Sequence, residues 1–384
     1  MSNRYFSYHN TACKLLASYH KEMPLQHFLR QYFSENKKHG SRDRKWISHF
    51  CYCFYRLGNA LPNLEMAEKL PIAVYLCTDD VETLGDYLPE GWLRTRDLDA
   101  KIQYMQVACG FRLEDIFPFA ALLVSDIDIA ALNKSLLRQP DVFLRIRPGK
   151  QKAVLDILEK NAVAYQLVGE NAVALKSRIA IDQLFKVNRD VVVQDFNSQS
   201  VTTFFPDGDI CSLWDCCAAS GGKTLLLRDH YPKAKTVVSD LRRSSLQNHK
   251  KRMQEAGVNV QKYFVQNLSQ PFEMQDMFDL VVCDAPCSGS GTWARTPEEM
   301  YFFDKGSLSS TSMLQLSIAR RIAQQVKVGG YLLYITCSLF KEEDDGVVEQ
   351  LTASLPLSVV KRQLLLGTEH NADTLYGCLL RKMG

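Results

Sequence analysis

Several patterns that would point to a metal-binding or disulfide-rich protein are missing from this chain of 384 residues. The closest cysteine pairs are Cys51/Cys53, Cys216/Cys217 and Cys283/Cys287. None of the twelve cysteines stands in a C-x-x-C pair, which is the spacing typical of structural zinc sites. Twelve cysteines are also too sparse for a disulfide scaffold, so we expect free thiols and no bound metal.

The chain also lacks long hydrophobic runs and a strong charge of either sign. No stretch of about 18 consecutive apolar residues occurs, and no apolar stretch follows a basic start. We therefore expect a cytoplasmic protein without membrane contact. A net charge of +3 neither requires nor excludes a nucleic-acid partner. The content of 46% hydrophobic and 23% charged residues is ordinary for a globular protein.

The run DCCAASGGKT at residues 215–224 lies between a short apolar strand and a predicted helix. Small residues and glycine let the backbone approach a ligand closely, and the N–H groups at a helix start suit a polar ligand group. The pattern therefore predicts a cofactor-binding loop. A phosphate-binding loop, G-x-x-x-x-G-K-[ST], would need glycine where the chain has Cys217, so a nucleoside triphosphatase is disfavoured.

Hydrophobic periodicity divides the chain into three predicted domains. Residues 1–126 carry apolar side chains at helical spacing and predict a small all-α domain. Residues 127–205 alternate between strand and helix patterns and predict a small α/β module. Residues 206–384 alternate strands and helices, as a doubly wound parallel sheet requires, and end in two apolar segments that predict a closing hairpin.

Three groups of cations have two interpretations each. The segment 37–46 (KKHGSRDRKW) fits contacts to an RNA backbone, or a solvated face with Trp46 in the core. Arg145 and Arg147 share one face of a predicted strand, which fits a phosphate platform or an exposed edge. Lys223 either contributes to the cofactor loop or is a solvated lysine at a helix start.

Polar side chains follow the predicted strands of the third domain. Asp240 ends the second strand and Asn267 follows the third. Asp284 and Cys287 follow the fourth strand, and Cys337 follows the fifth. Ligands of open α/β sheets bind beyond the carboxyl ends of the strands, so we expect these residues to line one crevice. None of the eight histidines falls in these motifs, which disfavours a Ser-His or Cys-His hydrolase.

An acid and two thiols at one crevice suit methylation of a pyrimidine at C5. That carbon is a poor nucleophile until a group adds covalently at C6, and a thiolate can add there. A carboxyl group near N3 can hold a proton while the ring becomes enamine-like, and a base must later remove the C5 proton. One aspartate and two cysteines provide these roles.

Three motifs together resemble the signature of the Sun/Fmu (RsmB-like) family of S-adenosylmethionine-dependent RNA cytosine-5 methyltransferases. They are DCCAASGGKT at 215–224, DAPCSGSGT at 284–292 and TCS at 336–338. The resemblance implies a Rossmann-like class I methyltransferase domain with a seven-stranded, doubly wound sheet. A small RRM-like α/β module and an all-α, NusB-like RNA-binding domain would precede it. Ser220 stands where the family usually has proline, and Asn267 where it commonly has aspartate.

The resemblance also implies roles for individual residues. Cys337 would be the nucleophile at C6, Cys287 would assist product release, and Asp284 would lie between the cofactor and N3 of the cytosine. Asp240 would bind the ribose hydroxyls, and the amide oxygen of Asn267 would accept a hydrogen bond from the adenine amino group. The backbone that would hold S-adenosylmethionine comprises Cys217, Ala218, Ala219, Ser220, Gly221, Gly222 and Lys223.

The implied reaction is methyl transfer from S-adenosylmethionine to C5 of a cytidine in RNA. Small-subunit (16S) ribosomal RNA is the first choice of substrate because of the resemblance of the N-terminal domain, and transfer RNA is the alternative. A ribosome-assembly factor that binds RNA without turnover is the alternative function. A methyltransferase for protein or a small molecule would not need two cysteines. We expect a monomer.

Overall fold

The computed structural model describes residues 4–124, 127–175 and 179–384. The chain forms two compact units. One unit comprises Met1–Gln139 and Thr292–Asp304, and the other comprises Pro140–Gly291 and Lys305–Gly384. The predicted boundary at residue 126 lies outside the described residues, and the division into three domains stays a prediction. Within the described ranges, no helix is long and apolar enough to cross a membrane.

The first unit is helical, as its apolar spacing predicts. Its helices include α1 (Arg4–Ser18), α2 (Leu25–Glu35), α3 (Ser41–Arg56), α4 (Met66–Cys77), α5 (Leu98–Cys109) and α6 (Ile129–Leu136). Each of α1 and α2 buries one apolar stripe and leaves charged residues on the opposite face. The last turn of α3 is buried on all sides, and this includes Arg56. The likeness of this unit to NusB stays a prediction.

A 13-residue segment that follows the second motif in the sequence belongs to the helical unit. Trp293 is buried in this segment, and its ring lies 5.0 Å from that of Phe303 and 5.7 Å from that of Phe117. The carboxylate of Glu298 accepts a hydrogen bond from the backbone N–H of Leu25 at 3.1 Å. These contacts place residues from the C-terminal half of the sequence in the core of the first unit.

The second unit contains a small antiparallel sheet. Its elements are β1 (Val142–Ile146), α7 (Gln151–Lys160), β2 (Tyr165–Val168), β3 (Ala172–Leu175), α8 (Ile181–Leu184) and β4 (Val191–Val193). The strand order β2-β3-β1-β4 with β-α-β-β-α-β connectivity is the ferredoxin-like arrangement to which RRM modules belong. The predicted small α/β module is therefore present.

Neither interpretation of Arg145 and Arg147 was correct, because both side chains are buried in an ion pair with Asp229. The guanidinium of Arg145 lies 2.5 Å from one carboxylate oxygen of Asp229, and that of Arg147 lies 2.8 Å from the other. Asp229 is far away in sequence, so a local strand pattern could not reveal the partner. The ion pair joins the small sheet to the helix of residues 222–230, which contains Asp229.

The rest of the second unit is built on a seven-stranded sheet. The elements along this part of the chain are α9 (Phe196–Ser200), β5 (Ser212–Asp215), α10 (Gly222–His230), β6 (Lys235–Asp240), α11 (Arg243–Ala256), β7 (Lys262–Val265), β8 (Phe278–Asp284), α12 (Pro297–Tyr301), α13 (Ser307–Ile322), β9 (Val326–Thr336), α14 (Asp345–Ser354), β10 (Leu357–Leu365) and β11 (Leu375–Lys382). The helix α12 lies in the segment that belongs to the first unit. The strand order is β10-β11-β9-β8-β5-β6-β7.

The pairing of these strands confirms the predicted fold. The strands β5 to β9 pair in parallel, and β10 and β11 form the antiparallel hairpin that closes the sheet. Successive side chains of β8 enter separate hydrophobic clusters, with Val281 in one and Val282 in the other. A parallel sheet covered on both faces requires this near-continuous apolar sequence.

Candidate active site

The predicted cofactor loop connects β5 to α10 and depends on a glycine at position 221. Gly221 has a φ of +88° and is the N-terminal cap of α10. A β-carbon at this position would lie 2.7 Å from Cδ2 of His249, which is closer than side chains approach in folded proteins. Ala218 and Ala219 donate backbone hydrogen bonds to the end of β6. The loop is therefore held close to the carboxyl ends of two strands.

A buried polar network lies beneath this loop. The hydroxyl of Thr224 donates to the Asp215 carboxylate at 2.5 Å, and Nε2 of His249 lies 2.8 Å from the same hydroxyl oxygen. Burial raises the pKa of Asp215 to about 7, and burial lowers the pKa of His249 to about 4. The imidazole is therefore neutral near pH 7, and this network assigns its proton to Nε2.

Asp240 lies at the end of β6, next to the cofactor loop. Its carboxylate accepts hydrogen bonds from the backbone N–H groups of Ala219 at 2.9 Å and Arg242 at 2.8 Å. A carboxylate has about four lone-pair positions, so two accepted bonds leave capacity for ligand hydroxyls. The predicted contact to ribose fits this position and stays a prediction.

Asn267 lies beyond the end of β7 and is exposed. Its amide oxygen accepts hydrogen bonds from the backbone N–H of Ser269 at 3.1 Å and from the Ser269 hydroxyl at 2.7 Å. Both lone pairs of that oxygen are engaged within the turn. The predicted hydrogen bond from adenine would require this turn to open, and it stays a prediction.

Lys223 is part of the site rather than a solvated lysine. Its ammonium group lies 2.7 Å from the Asp284 carboxylate, and the two side chains are 15% and 29% exposed. Burial lowers the pKa of Lys223, but the charge and hydrogen bond of Asp284 outweigh it and the net shift is upward. The ammonium charge therefore fixes the position of the Asp284 carboxylate, between the cofactor loop and the loop of Cys287.

The two predicted catalytic thiols lie side by side. The strands β8 and β9 are parallel neighbours, and the backbone N–H of Gly291 donates to the carbonyl of Cys337 at 2.9 Å. The Sγ atoms of Cys287 and Cys337 are 3.3 Å apart, and both residues are half-buried. The hydrogen bond with Cys337 and burial raise the pKa of the Cys287 thiol. This pair can present two sulfur atoms to one substrate base.

Three further thiols come together behind the cofactor loop. The sulfur atoms of Cys216, Cys217 and Cys283 lie within 4.8 Å of one another, because β5 and β8 are neighbours. The distances between these sulfur atoms are short enough to hold a metal ion. The spacing of the three cysteines in the sequence did not indicate this cluster. Burial raises the pKa of Cys216 well above its ordinary value, whereas the hydrogen bonds with Cys216 and Cys283 lower the pKa of Cys217 to about 5. The absence of a metal stays a prediction.

Two acids near the site were missed because they stand in a charged run, KEEDD at 341–345. Such a run is typical of a solvated face, yet Glu343 and Asp344 are both fully buried. Asp344 accepts a hydrogen bond from the Thr336 hydroxyl, next to Cys337, and burial raises its pKa well above the ordinary value. Glu343 contacts both thiol-bearing loops.

In the helical unit, the segment 37–46 separates into packed and exposed side chains. The ring of Trp46 lies 4.9 Å from that of Tyr5 and 6.3 Å from that of Phe50, so Trp46 belongs to the aromatic core of α1 and α3. The exposed cations are Lys37, Lys38, Arg42 and Lys45. Trp46 therefore does not offer a free stacking face, whereas the four cations remain available to an anionic partner.

A comparison with protein families matches the part of the chain that carries the three motifs. Residues 205–364, which contain all three motifs, match the family model described as 16S rRNA methyltransferase RsmB/F. These residues are therefore similar in sequence to the methyltransferases of that family. The match confirms the resemblance to the Sun/Fmu family that the motifs indicated.

Curated relatives carry the same family name. The ribosomal RNA small subunit methyltransferase B of Pasteurella multocida is 29% identical over 64% of this chain and 60% of its own length. The probable ribosomal RNA small subunit methyltransferase B of Bacillus subtilis is 31% identical over 51% of this chain and 45% of its own length. The chain thus spans about half the length of these relatives.

Solved structures share the fold at low sequence identity. The crystal structure of PH0851 superposes with a TM-score of 0.70 and 17% identity, and covers 93% of this chain and 94% of its own. A methyltransferase homologue from Pyrococcus horikoshii superposes with a TM-score of 0.59 and 17% identity, over 72% of this chain and 97% of its own. These likenesses confirm the Rossmann-like class of the large sheet.

The pH dependence of stability tests the network beneath the cofactor loop. Because the pKa of Asp215 is raised by folding, its proton contributes stability that is fully present below about pH 4 and is lost as the pH rises through about 7. Asparagine cannot ionise, so Asp215→Asn should gain stability relative to wild type between pH 4 and 8, by up to roughly 4 kcal/mol.

Thermal unfolding midpoints measured across this pH range check the prediction. Asp276→Asn is the matched control, because this carboxylate is half exposed in a surface ion pair with Lys262. Parallel pH curves for Asp215→Asn and wild type would contradict a raised pKa at Asp215.

Proposed function

We propose that this protein transfers a methyl group from S-adenosylmethionine to C5 of a cytidine in RNA, through a covalent bond between Cys337 and C6. The observation that carries the proposal is the pair of thiols at Cys287 and Cys337, whose sulfur atoms are 3.3 Å apart at the ends of adjacent parallel strands. Methyl transfer to nitrogen or oxygen needs little beyond positioning, whereas C5 of cytosine needs a nucleophile at C6.

The loop between β5 and α10 supports binding of S-adenosylmethionine. When bound, this cofactor supplies an electrophilic methyl group. Gly221 keeps the loop free of a side chain where it approaches α11, and the start of α10 offers N–H groups to a polar ligand group. Asp240, with two accepted bonds and spare lone pairs, is the acceptor for ribose hydroxyls. The cofactor would therefore lie beside Asp284.

The chemistry follows from the positions of three side chains. Cys337, as the thiolate, would form a bond to C6 and move electron density to C5. C5 would then take the methyl group as the bond between that group and the cofactor's sulfur breaks, and the cofactor would leave as a neutral thioether. Asp284, held by Lys223, faces N3 and stabilises the proton there while the ring is enamine-like. Cys287 would accept the proton from C5 as the base. The electron pair of that C–H bond would then re-form the ring double bond as the bond from C6 to sulfur breaks, which releases the Cys337 thiolate and restores aromaticity.

Small-subunit ribosomal RNA is the proposed substrate, and transfer RNA is the alternative. Two observations support ribosomal RNA: the match of residues 205–364 to a 16S rRNA methyltransferase family, and the names of the curated relatives. A helical unit with exposed cations precedes the methyltransferase domain, which is consistent with a large anionic substrate.

Substitution of the two thiols tests the reaction and separates their roles. Cys337→Ala should reduce incorporation of labelled methyl into 5-methylcytosine by at least about a thousandfold, because the nucleophile is lost. Cys287→Ala should instead accumulate a covalent protein–RNA adduct, which a denaturing gel reveals as a shifted band. Naked 16S rRNA, small-subunit particles and transfer RNA serve as substrates in parallel.

The exposed cysteine at position 211 provides the control, since Cys211→Ala should leave methyl transfer unchanged. Methylation that persists in Cys337→Ala would refute the covalent mechanism. Cofactor binding without label on any of the three RNA substrates would favour an RNA-binding factor without turnover.

The exposed cations of the helical unit are proposed to contact RNA phosphates. Replacing Lys37 and Lys38 by glutamine should weaken RNA binding and reduce the slope of log K against log salt concentration by roughly 1.5, as expected for two lost phosphate contacts. Filter binding at several salt concentrations measures the slope. The control, Lys152→Gln with Lys160→Gln, makes the same charge change at exposed positions of α7. An equal slope for both double variants would contradict a specific contact between the segment 37–46 and RNA.

A further inference from the structure

A single buried carboxylate connects the loops that carry the two thiols. Glu343 is fully buried, and it accepts hydrogen bonds from the backbone N–H of Ser288 at 2.8 Å and from the Ser288 hydroxyl at 2.5 Å. It also accepts one from the Ser338 hydroxyl at 2.5 Å. Ser288 directly follows Cys287 and Ser338 directly follows Cys337, so one side chain holds the neighbour of each thiol.

The carboxylate is itself held from several sides. The amide of Gln315 on α13 donates to Glu343 at 3.2 Å and to the carbonyl of Pro286 at 2.9 Å. The hydroxyl of Tyr334 on β9 donates to the backbone carbonyl of Glu343 at 2.7 Å. The position of Glu343 is thus fixed by β9, by α13 and by both thiol loops.

Neutral donors satisfy this carboxylate, and within the described ranges it forms no ion pair with a lysine or arginine. A buried acid is costly to keep in a core unless its hydrogen bonds are complete, and replacing it by an apolar residue is often no loss to stability. The burial of the Glu343 carboxylate is therefore not explained by an ion pair.

We propose that Glu343 is a positioning residue that fixes the distance between the thiols of Cys287 and Cys337. The proposal rests on the function proposed above, because the two thiols must act on adjacent carbons of one base. Glu343 touches neither thiol and acts through Ser288 and Ser338. The backbone bond from Gly291 to Cys337 and the bond from the N–H of Leu339 to the Ser290 hydroxyl also join the two loops. Glu343 adds bonds to the residue that directly follows each thiol.

Glu343→Gln tests the proposal with little change in volume. Its amide nitrogen cannot accept the serine hydroxyl bonds, so the loops lose part of their connection. We expect kcat for methyl transfer to fall by about 10- to 100-fold, with KM for RNA and for S-adenosylmethionine changed by less than about twofold, as for misplacement of reacting groups. Glu342→Gln is the matched control, because this neighbouring acid is exposed and its carboxylate accepts a hydrogen bond from the Ser312 hydroxyl, away from both thiol loops.

A second measurement does not require methylation. Diamide oxidises two nearby thiols to a disulfide and takes up the two electrons and two protons that they release. The rate at which Cys287 and Cys337 become linked, followed by mass spectrometry of tryptic peptides, reports how well their spacing is held. We expect Glu343→Gln to slow this linkage several-fold and Glu342→Gln to leave it unchanged.

Ser338→Ala separates positioning from general stabilisation. If Glu343 acts through the serine, Ser338→Ala should also lower kcat, and the double variant should lose less than the product of the two single effects. An unchanged linkage rate together with an unchanged kcat in Glu343→Gln would overturn the proposal. If the wild-type protein methylates no RNA but Glu343→Gln still slows the linkage, the positioning role is retained and the proposed function is rejected.

Discussion

The parallel pairing of β8 with β9 is the constraint on which the site depends. It brings the carboxyl ends of the two strands to one edge of the sheet, so the sulfur atoms of Cys287 and Cys337, 50 residues apart in the sequence, lie 3.3 Å from each other. On the other side of β8, pairing with β5 places the cofactor loop beside Asp284, where Lys223 holds the carboxylate. The proximity of the acid, the two thiols and the cofactor loop is therefore a consequence of the order of the strands in the sheet.

Beneath this edge, buried acids are paired with hydroxyl groups. Asp215 accepts from Thr224 and Asp344 from Thr336, while Glu343 accepts from two serines. A hydroxyl donor leaves a buried carboxyl group partly uncompensated, and burial accordingly raises the pKa of Asp215 and of Asp344. These pairs are short and directional, so they set loop geometry more strictly than a long, flexible ammonium side chain could.

Much of this arrangement could be predicted from the sequence, because strand ends and glycine-rich turns are local features. The seven-stranded sheet, the cofactor loop and the proximity of the predicted crevice residues follow from such patterns. The partners of Arg145 and Arg147, the cluster of Cys216 with Cys217 and Cys283, and the burial of Glu343 could not be predicted. Each depends on a contact between segments far apart in the chain, and the run at 341–345 even has the composition of a solvated face.

The most direct test of the account uses RNA with 5-fluorocytidine in place of cytidine. After methyl transfer, fluorine cannot leave C5 as a proton does, so the covalent bond to the enzyme should persist. Tryptic mass spectrometry distinguishes the thiols, because Cys337 is the sole cysteine in the peptide 328–341 and Cys287 lies in the peptide 263–295. The account predicts a nucleotide adduct on 328–341 that needs S-adenosylmethionine. An adduct on 263–295, or methylated RNA without any adduct, would contradict it.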